Sequence, residues 1–120
     1  MDRTTGTIFL FSVKSYDAGL FQSQLGTDPA ARNILHAHVV ESHDNGETWV
    51  NPRTITDQVT AGYEGKWFTR FASSGEGIQL RYGAHAGRLI QQYAVANSGS
   101  TSLMAVSVYS DDHGATWKPG

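Results

Sequence analysis

The chain has 120 residues, a formal net charge of −2, no cysteine, 39% apolar residues, 13 glycines and 3 prolines. That length suits one small domain, and the near-neutral charge gives no electrostatic case for nucleic acid or an anionic membrane as partner. No disulfide or thiolate chemistry is available, no apolar run is long enough to span a bilayer, and the N-terminus lacks the charged-then-apolar pattern of a signal peptide.

Taken in order, residues 7–13 are β-branched and aromatic, with Phe9, Phe11 and Val13 on one alternation and Ile8 and Leu10 on the other. Both sets are apolar, which predicts a strand buried on both faces. Residues 16–34 carry Gly19, Gly26, Asp28 and Pro29 and read as loop. A second strand is expected over 36–43 and a third over 49–55, where Pro52 suggests an edge position. Residues 57–67 are polar and glycine-containing, hence loop, and 67–71 is an aromatic-rich re-entry. Residues 77–82 alternate apolar and polar, 83–87 form a turn, 88–95 a strand, 96–101 a polar loop and 103–109 a strand. No segment shows helical periodicity, so the reading is all-β with short strands and frequent turns.

Two of the turns share one motif. Ser42-His43-Asp44-Asn45-Gly46-Glu47-Thr48-Trp49 and Ser110-Asp111-Asp112-His113-Gly114-Ala115-Thr116-Trp117 both read S-x-D-x-G-x-T-W, each after an apolar run. The aspartate can accept backbone N–H groups two residues on, the glycine supplies a left-handed position, and the serine can tie the turn to the neighbouring strand. The tryptophan returns into the sheet and buries its ring. A calcium loop of EF-hand type would need alternating ligands and a closing glutamate, which this spacing lacks. Catalytic use of the aspartates is also disfavoured, since the turn employs them.

A repeated turn implies a repeated unit. The second unit reads as strands 77–82, 88–95, 103–109 and one starting at Thr116; the first reads as 7–13, 36–42 and 48–55, its opening strand falling upstream of Met1. Four-stranded units in line are propeller blades. The expectation is about two antiparallel four-stranded blades of a larger propeller, truncated at both ends. Residues 1–56 form a partial blade with its motif at 42–49. Residues 57–120 form the next, with its motif at 110–117 and its last strand cut short.

The S-x-D-x-G-x-T-W motif resembles the Asp box, or BNR repeat, of sialidases and other propellers. The stretch from Arg70 to Tyr93, RFASSGEGIQLRYGAHAGRLIQQY, closely resembles bacterial secreted exo-α-sialidases, as do 105–114, Thr27-Asp28-Pro29 and 33–37. The resemblance implies a six-bladed, secreted, extracellular propeller that removes terminal sialic acids from glycans with retention of configuration. It implies a tyrosine nucleophile assisted by a glutamate, an aspartate acid/base and three arginines that clamp the substrate carboxylate. None of these matches a position here, so this chain alone is expected to be inactive and to need the remaining blades. Glu76, Arg70, Arg81 and Arg88 read as turn and sheet-surface charges, and Tyr93 and Tyr109 as packing residues.

In a propeller the turn motifs lie on one face and the loops 14–35, 56–74 and 96–102 on the other, where the family places its active site. Matched by position, Val13 and Leu20 fall where the family lines the pocket for the substrate's N-acetyl group, with Phe71 and Leu103 near it. The family often has an aromatic residue at the position of Leu20; Phe21 or Tyr16 is the alternative source of that ring. The implied partner is a sialylated glycan, with no cofactor. His36 and His38 share a strand face, yet no third ligand is identifiable, so no metal is expected. Gly75-Glu76-Gly77 lacks the remainder of a dinucleotide loop, and no G-x-S-x-G elbow or Walker loop occurs. A non-catalytic propeller or carbohydrate-binding module, and another Asp-box enzyme, stand as the alternatives.

Overall fold

The computed structural model describes residues 1–100 and 102–120. The elements are β1 (Ile8–Lys14), β2 (His36–Ser42), β3 (Val50–Thr54), α1 (Thr56–Val59), β4 (Trp67–Ala72), β5 (Ile78–Gln79), β6 (Leu89–Asn97), β7 (Met104–Ser110) and β8 (Lys118–Pro119). One sheet has the order β1-β2-β3 and the other β4-β6-β7-β8, with β5 also paired to β6. Every pairing is antiparallel. The run β1-β2-β3 thus repeats as β6-β7-β8, each with its Asp box between the last two strands. The chain is thus built almost wholly from two antiparallel sheets. Pro52 sits on β3, an edge strand, as its missing N–H requires.

The core lies between the sheets. In β6 the alternate residues Leu89, Gln91, Tyr93 and Val95 are buried. Leu89, Tyr93, Val108 and Trp117 of the second sheet meet Ala37, Val39, Ile55 and Val59 of the first, and Phe9 and Phe11 pack on the same cluster. A strand with period-two apolar residues can bury only one face against one neighbour. This corrects the expectation for β1: Phe9 and Phe11 face the second sheet, but Leu10 on the opposite face is 52% exposed, and Val13, on the same alternation as Phe9 and Phe11, is 49% exposed. Both sets of β1 are apolar, but among the described residues only Phe9 and Phe11 of this strand pack on the core cluster.

The inner edge of the second sheet also differs from the expected strand over 77–82. Regular pairing there is confined to β5, and the longer β4 precedes it on the same edge of β6, from Trp67↔Asn97 to Ala72↔Tyr93. Between them the backbone swings through Gly75 at φ 135° and Gly77 at φ 65°. A side chain at Gly77 would meet the Ile90 carbonyl at 2.7 Å. The alternation of 77–82 is therefore real only where the glycines release the chain back onto β6. The expected loop over 57–67 opens with α1, a single turn whose Thr56 and Val59 are buried. Four residues are too few to show a helical period.

Candidate functional site

Register fixes which connections share an end. Ile8 lies opposite Ser42 and Lys14 opposite His36, while Leu89 lies opposite Ser110 and Val95 opposite Met104. Both Asp boxes therefore leave their sheets at one end. Arg53 of β3 donates to the Gly114 carbonyl of the second box, and His113 Nδ1 lies 2.8 Å from the buried Asp2 carboxylate. The 15–35 loop, the 60–66 connection and the described part of the 98–103 loop occupy the opposite end.

The boxes are near-identical hydrogen-bond cages. Ser42 Oγ donates to Asp44 Oδ1 at 2.8 Å and accepts Gly46 N–H at 2.8 Å; Thr48 N–H donates to Asp44 Oδ1 at 2.8 Å. In the second box the same three distances, Ser110 to Asp112, Gly114 to Ser110 and Thr116 to Asp112, are 2.7, 2.8 and 2.9 Å. The aspartate therefore grips the threonine four residues on, and the serine takes the glycine N–H, a division of labour different from the one expected. Hydrogen bonds from the Thr48 hydroxyl and N–H and the Ser42 hydroxyl hold the Asp44 carboxyl down at about 2. For Asp112, burial pushes the pKa up, but the Thr116 and Ser110 donors outweigh it and the net shift is downward. Such carboxylates are structural acceptors with no proton to give at neutral pH. Their tryptophans part ways: Trp117 is 2% exposed against Phe9 and Phe11, whereas Trp49 is 42% exposed.

The other end is organised by Arg70, which the sequence reading placed among the surface charges and which is 1% exposed. Its guanidinium donates to the carbonyls of Gly26 at 2.6 Å, Trp67 at 2.9 Å and Leu35 at 3.2 Å. Burial pulls its pKa down to about 10, still far above neutrality. One planar fork thus ties the middle and the end of the 15–35 loop to β4. Further ties close the loop: Arg32 pairs with Asp17 at 2.8 Å, Gln24 N–H donates to Asn33 O at 2.9 Å, and the buried Ser23 hydroxyl accepts Leu35 N–H at 3.0 Å. His36 Nε2 donates to Ala31 O at 2.6 Å, so that nitrogen is committed within the protein. The signal that could have found Arg70 is its place inside an aromatic strand, between Thr69 and Phe71, where a surface charge is out of pattern.

Val13 is the penultimate residue of β1 at this end, and Leu20 sits on the 15–35 loop, 38% exposed. Phe71 is half-buried in β4 opposite Ala94, and Leu103, 44% exposed, precedes β7. Of the alternative rings, Tyr16 carries Arg32 over its face at 4.8 Å and meets His36 edge-on. Phe21 opens instead onto a hollow of 490 Å³ shared with Phe68 and Leu25. A cleft of 580 Å³ runs along the open edge of β1, lined by Leu10, Phe11, Ala72, Ile78, Gln91 and Trp117. A third hollow, of 630 Å³, lies at the loop end around Tyr63, Lys66, Trp67, Asn97, Ser98 and Met104. Val13, Leu20, Phe71 and Leu103 line none of the three.

The BNR/Asp-box repeat family matches residues 108–119, which hold the second cage. A sialidase from Micromonospora viridifaciens is 58% identical over 120 residues, which is 100% of this chain and 18% of that protein. This chain resembles part of a bacterial sialidase. The solved structure of the Hadza microbial sialidase Hz136 matches with a TM-score of 0.82 and 27% identity, over 98% of this chain and 22% of that one. The intramolecular trans-sialidase from Ruminococcus gnavus, solved with oseltamivir carboxylate, matches with a TM-score of 0.60 and 28% identity over 73% of this chain and 16% of its own. The chain thus spans about a fifth of the sialidases it resembles. Within that span, Arg88 and Tyr93 are engaged inside the fold. Arg88 makes a two-point pair with Asp111 at 2.8 Å and lies over the Tyr109 ring at 4.2 Å. Tyr93 is 1% exposed, and burial pushes its hydroxyl well above the usual tyrosine range. The buried Tyr93 hydroxyl is therefore not an activated oxygen.

Proposed function

We propose that this chain forms part of a secreted, retaining exo-sialidase that hydrolyses terminal α-linked sialic acids from glycoconjugates. The observation that carries this reading is sialidase similarity over the whole length of the chain, far beyond the short Asp-box motif that other propellers share. The segment supplies a partial blade over 1–56 and the next blade over 57–120. The loop end of these blades forms part of the pocket wall, with Val13 and Leu20 against the substrate's N-acetyl group and Phe71 and Leu103 beside them. The nucleophilic tyrosine, its glutamate, the acid/base aspartate and the carboxylate-binding arginines belong to residues outside this segment. The hydrogen-bonded Asp-box carboxylates and the buried Tyr93 support that division, because neither group is free to react. The partner is a sialylated glycan, and the oseltamivir carboxylate held by the Ruminococcus gnavus relative supports a carboxylate-bearing ligand in the pocket.

The test is a reaction of the complete protein with α2,3- and α2,6-sialyllactose, followed by proton NMR. Release of free sialic acid with the α anomer appearing first is expected. No release from either trisaccharide overturns the reading.

A further inference from the structure

We propose that the stacked pair Tyr63 and Trp67, with Lys66, Asn97 and Ser98, is a sugar-binding subsite that takes one neutral pyranose ring of an oligosaccharide. Its residues are distinct from those proposed for the N-acetyl pocket. The proposal does not depend on the protein being an active hydrolase.

The two rings lie parallel, 3° apart in plane and 4.1 Å between centroids. Trp67 is 4% exposed while Tyr63 is 38% exposed, so the buried indole backs a phenol ring that is open to solvent. The centroids are closer than in most aromatic pairs. Here the backbone imposes that closeness. Gly62, at φ 85°, turns the chain into Tyr63. The Tyr63 carbonyl accepts Lys66 N–H at 3.0 Å and Trp67 N–H at 3.1 Å. The Lys66 carbonyl accepts Ser98 N–H at 2.5 Å, and Trp67 pairs with Asn97. The platform is thus braced from β4 and from the end of β6, and little ordering cost is left for a ligand to meet.

The surroundings have two characters. Tyr63 and the 39% exposed Met104 are apolar. Lys66, Asn97 and Ser98, all exposed, bring an ammonium, an amide and a hydroxyl to the same 630 Å³ hollow. A pyranose has the matching division: its C–H face is apolar and flat enough to lie on an aromatic ring, and its rim carries hydroxyls that both donate and accept. An apolar floor with a few convergent polar groups is the usual make-up of a small-molecule site. A neutral ring suits the rim better than an acidic one, because Glu64 is exposed on the same turn beside Lys66.

Lactose is the probe, since it carries no sialic acid and would report on this subsite without turnover. Saturation-transfer NMR on the complete protein should show one pyranose ring of lactose receiving most of the saturation. Tyr63→Ala should weaken lactose binding by about tenfold or more, while Tyr63→Phe, which keeps the stacked ring, should bind as the parent does. Lys66→Ala and Asn97→Ala, surface changes that leave the stack in place, should each weaken it severalfold; they carry the test if Tyr63→Ala fails to fold. Absence of saturation transfer to lactose in the parent overturns the proposal. So does undiminished binding in a folded Tyr63→Ala, or in Lys66→Ala and Asn97→Ala together.

Discussion

The Phe11 ring meets Trp117 edge-on, with centroids 4.9 Å apart and planes at 84°, so the aromatic residue that closes the second Asp box is buried against the preceding sheet. Trp49 closes the first box by the same hydrogen bonds and, among the described residues, stays 42% exposed. The motif makes the turn; the neighbouring sheet makes the burial. Trp117→Ala should therefore cost about 3–5 kcal/mol, as for a large aromatic removed from a core. Trp49→Ala should cost under about 1 kcal/mol, as for a surface site. Paired urea denaturation curves of the two variants check the difference, and equal losses would show that the turn, not the packing, holds the ring's energy.

The glycines of the boxes offer a second comparison. Gly46 and Gly114 have matching φ values of 89° and 87°, so a side chain is equally strained at either. A Cβ at Gly46 would touch only the Trp49 ring, at 3.6 Å, whereas at Gly114 it would overlap the Phe9 ring. Gly114→Ala should lower the melting temperature clearly more than Gly46→Ala, by an amount that Phe9→Leu partly restores. Differential scanning calorimetry of the three variants tests this.

Arg70 gives a prediction about the loop end. Arg70→Met would leave the carbonyls of Gly26, Leu35 and Trp67 without their buried donor, at roughly 1–3 kcal/mol for each that water cannot reach. Arg70→Lys should rescue little, because a single ammonium cannot span three carbonyls from one planar fork. Hydrogen exchange should rise across residues 23–35 in both variants and stay unchanged in β6. Protection retained over 23–35 in Arg70→Met would show that the Asp17–Arg32 and Ser23 ties suffice.

Asp2 predicts an acid-sensitive margin. Burial pushes its carboxyl up, but donors from His113, the Thr4 N–H and the Gln79 amide outweigh that, and the net pKa falls to about 2 from an ordinary 3.8. A depressed folded value means the group stabilises the fold fully above the ordinary value and loses that contribution as pH falls through the folded one. Melting temperature should therefore drop between about pH 4 and pH 2, and Asp2→Asn should flatten that part of the profile while lowering stability at pH 7. A profile over that window that is identical with and without the carboxyl would place the acid sensitivity elsewhere, in the Asp boxes.

Val13 and Leu20 test the pocket assignment in the complete protein. Each is substantially exposed, at 49% and 38%, so truncation of either should leave the melting temperature nearly unchanged. An apolar contact contributes about 0.8 kcal/mol per buried CH₂, so Leu20→Ala and Val13→Ala should raise KM for N-acetylated sialosides severalfold with kcat little altered. Unchanged KM in both variants would remove them from the site.

Several features were legible in the amino-acid order alone because they are local. The S-x-D-x-G-x-T-W repeats specify their own cages: each donor and acceptor lies within four residues of its partner, and the cages agree to about 0.1 Å. The alternation of 88–95, the glycine turn before it and Pro52 at an edge are equally short-range, and they sufficed for an all-β reading. What tertiary structure decided is everything that depends on a neighbour. Phe9, Phe11 and Leu10 are equally apolar in sequence, yet only the first two face a sheet. Arg70 reads as any arginine until three carbonyls from Gly26, Leu35 and Trp67 converge on it from far along the chain. Tyr63 looked like a loop residue, and only the backbone bonds from Lys66, Trp67 and Ser98 lay it flat on Trp67. Local hydrogen-bond chemistry is written in residue order, whereas burial is a relation between surfaces that only the folded chain brings together.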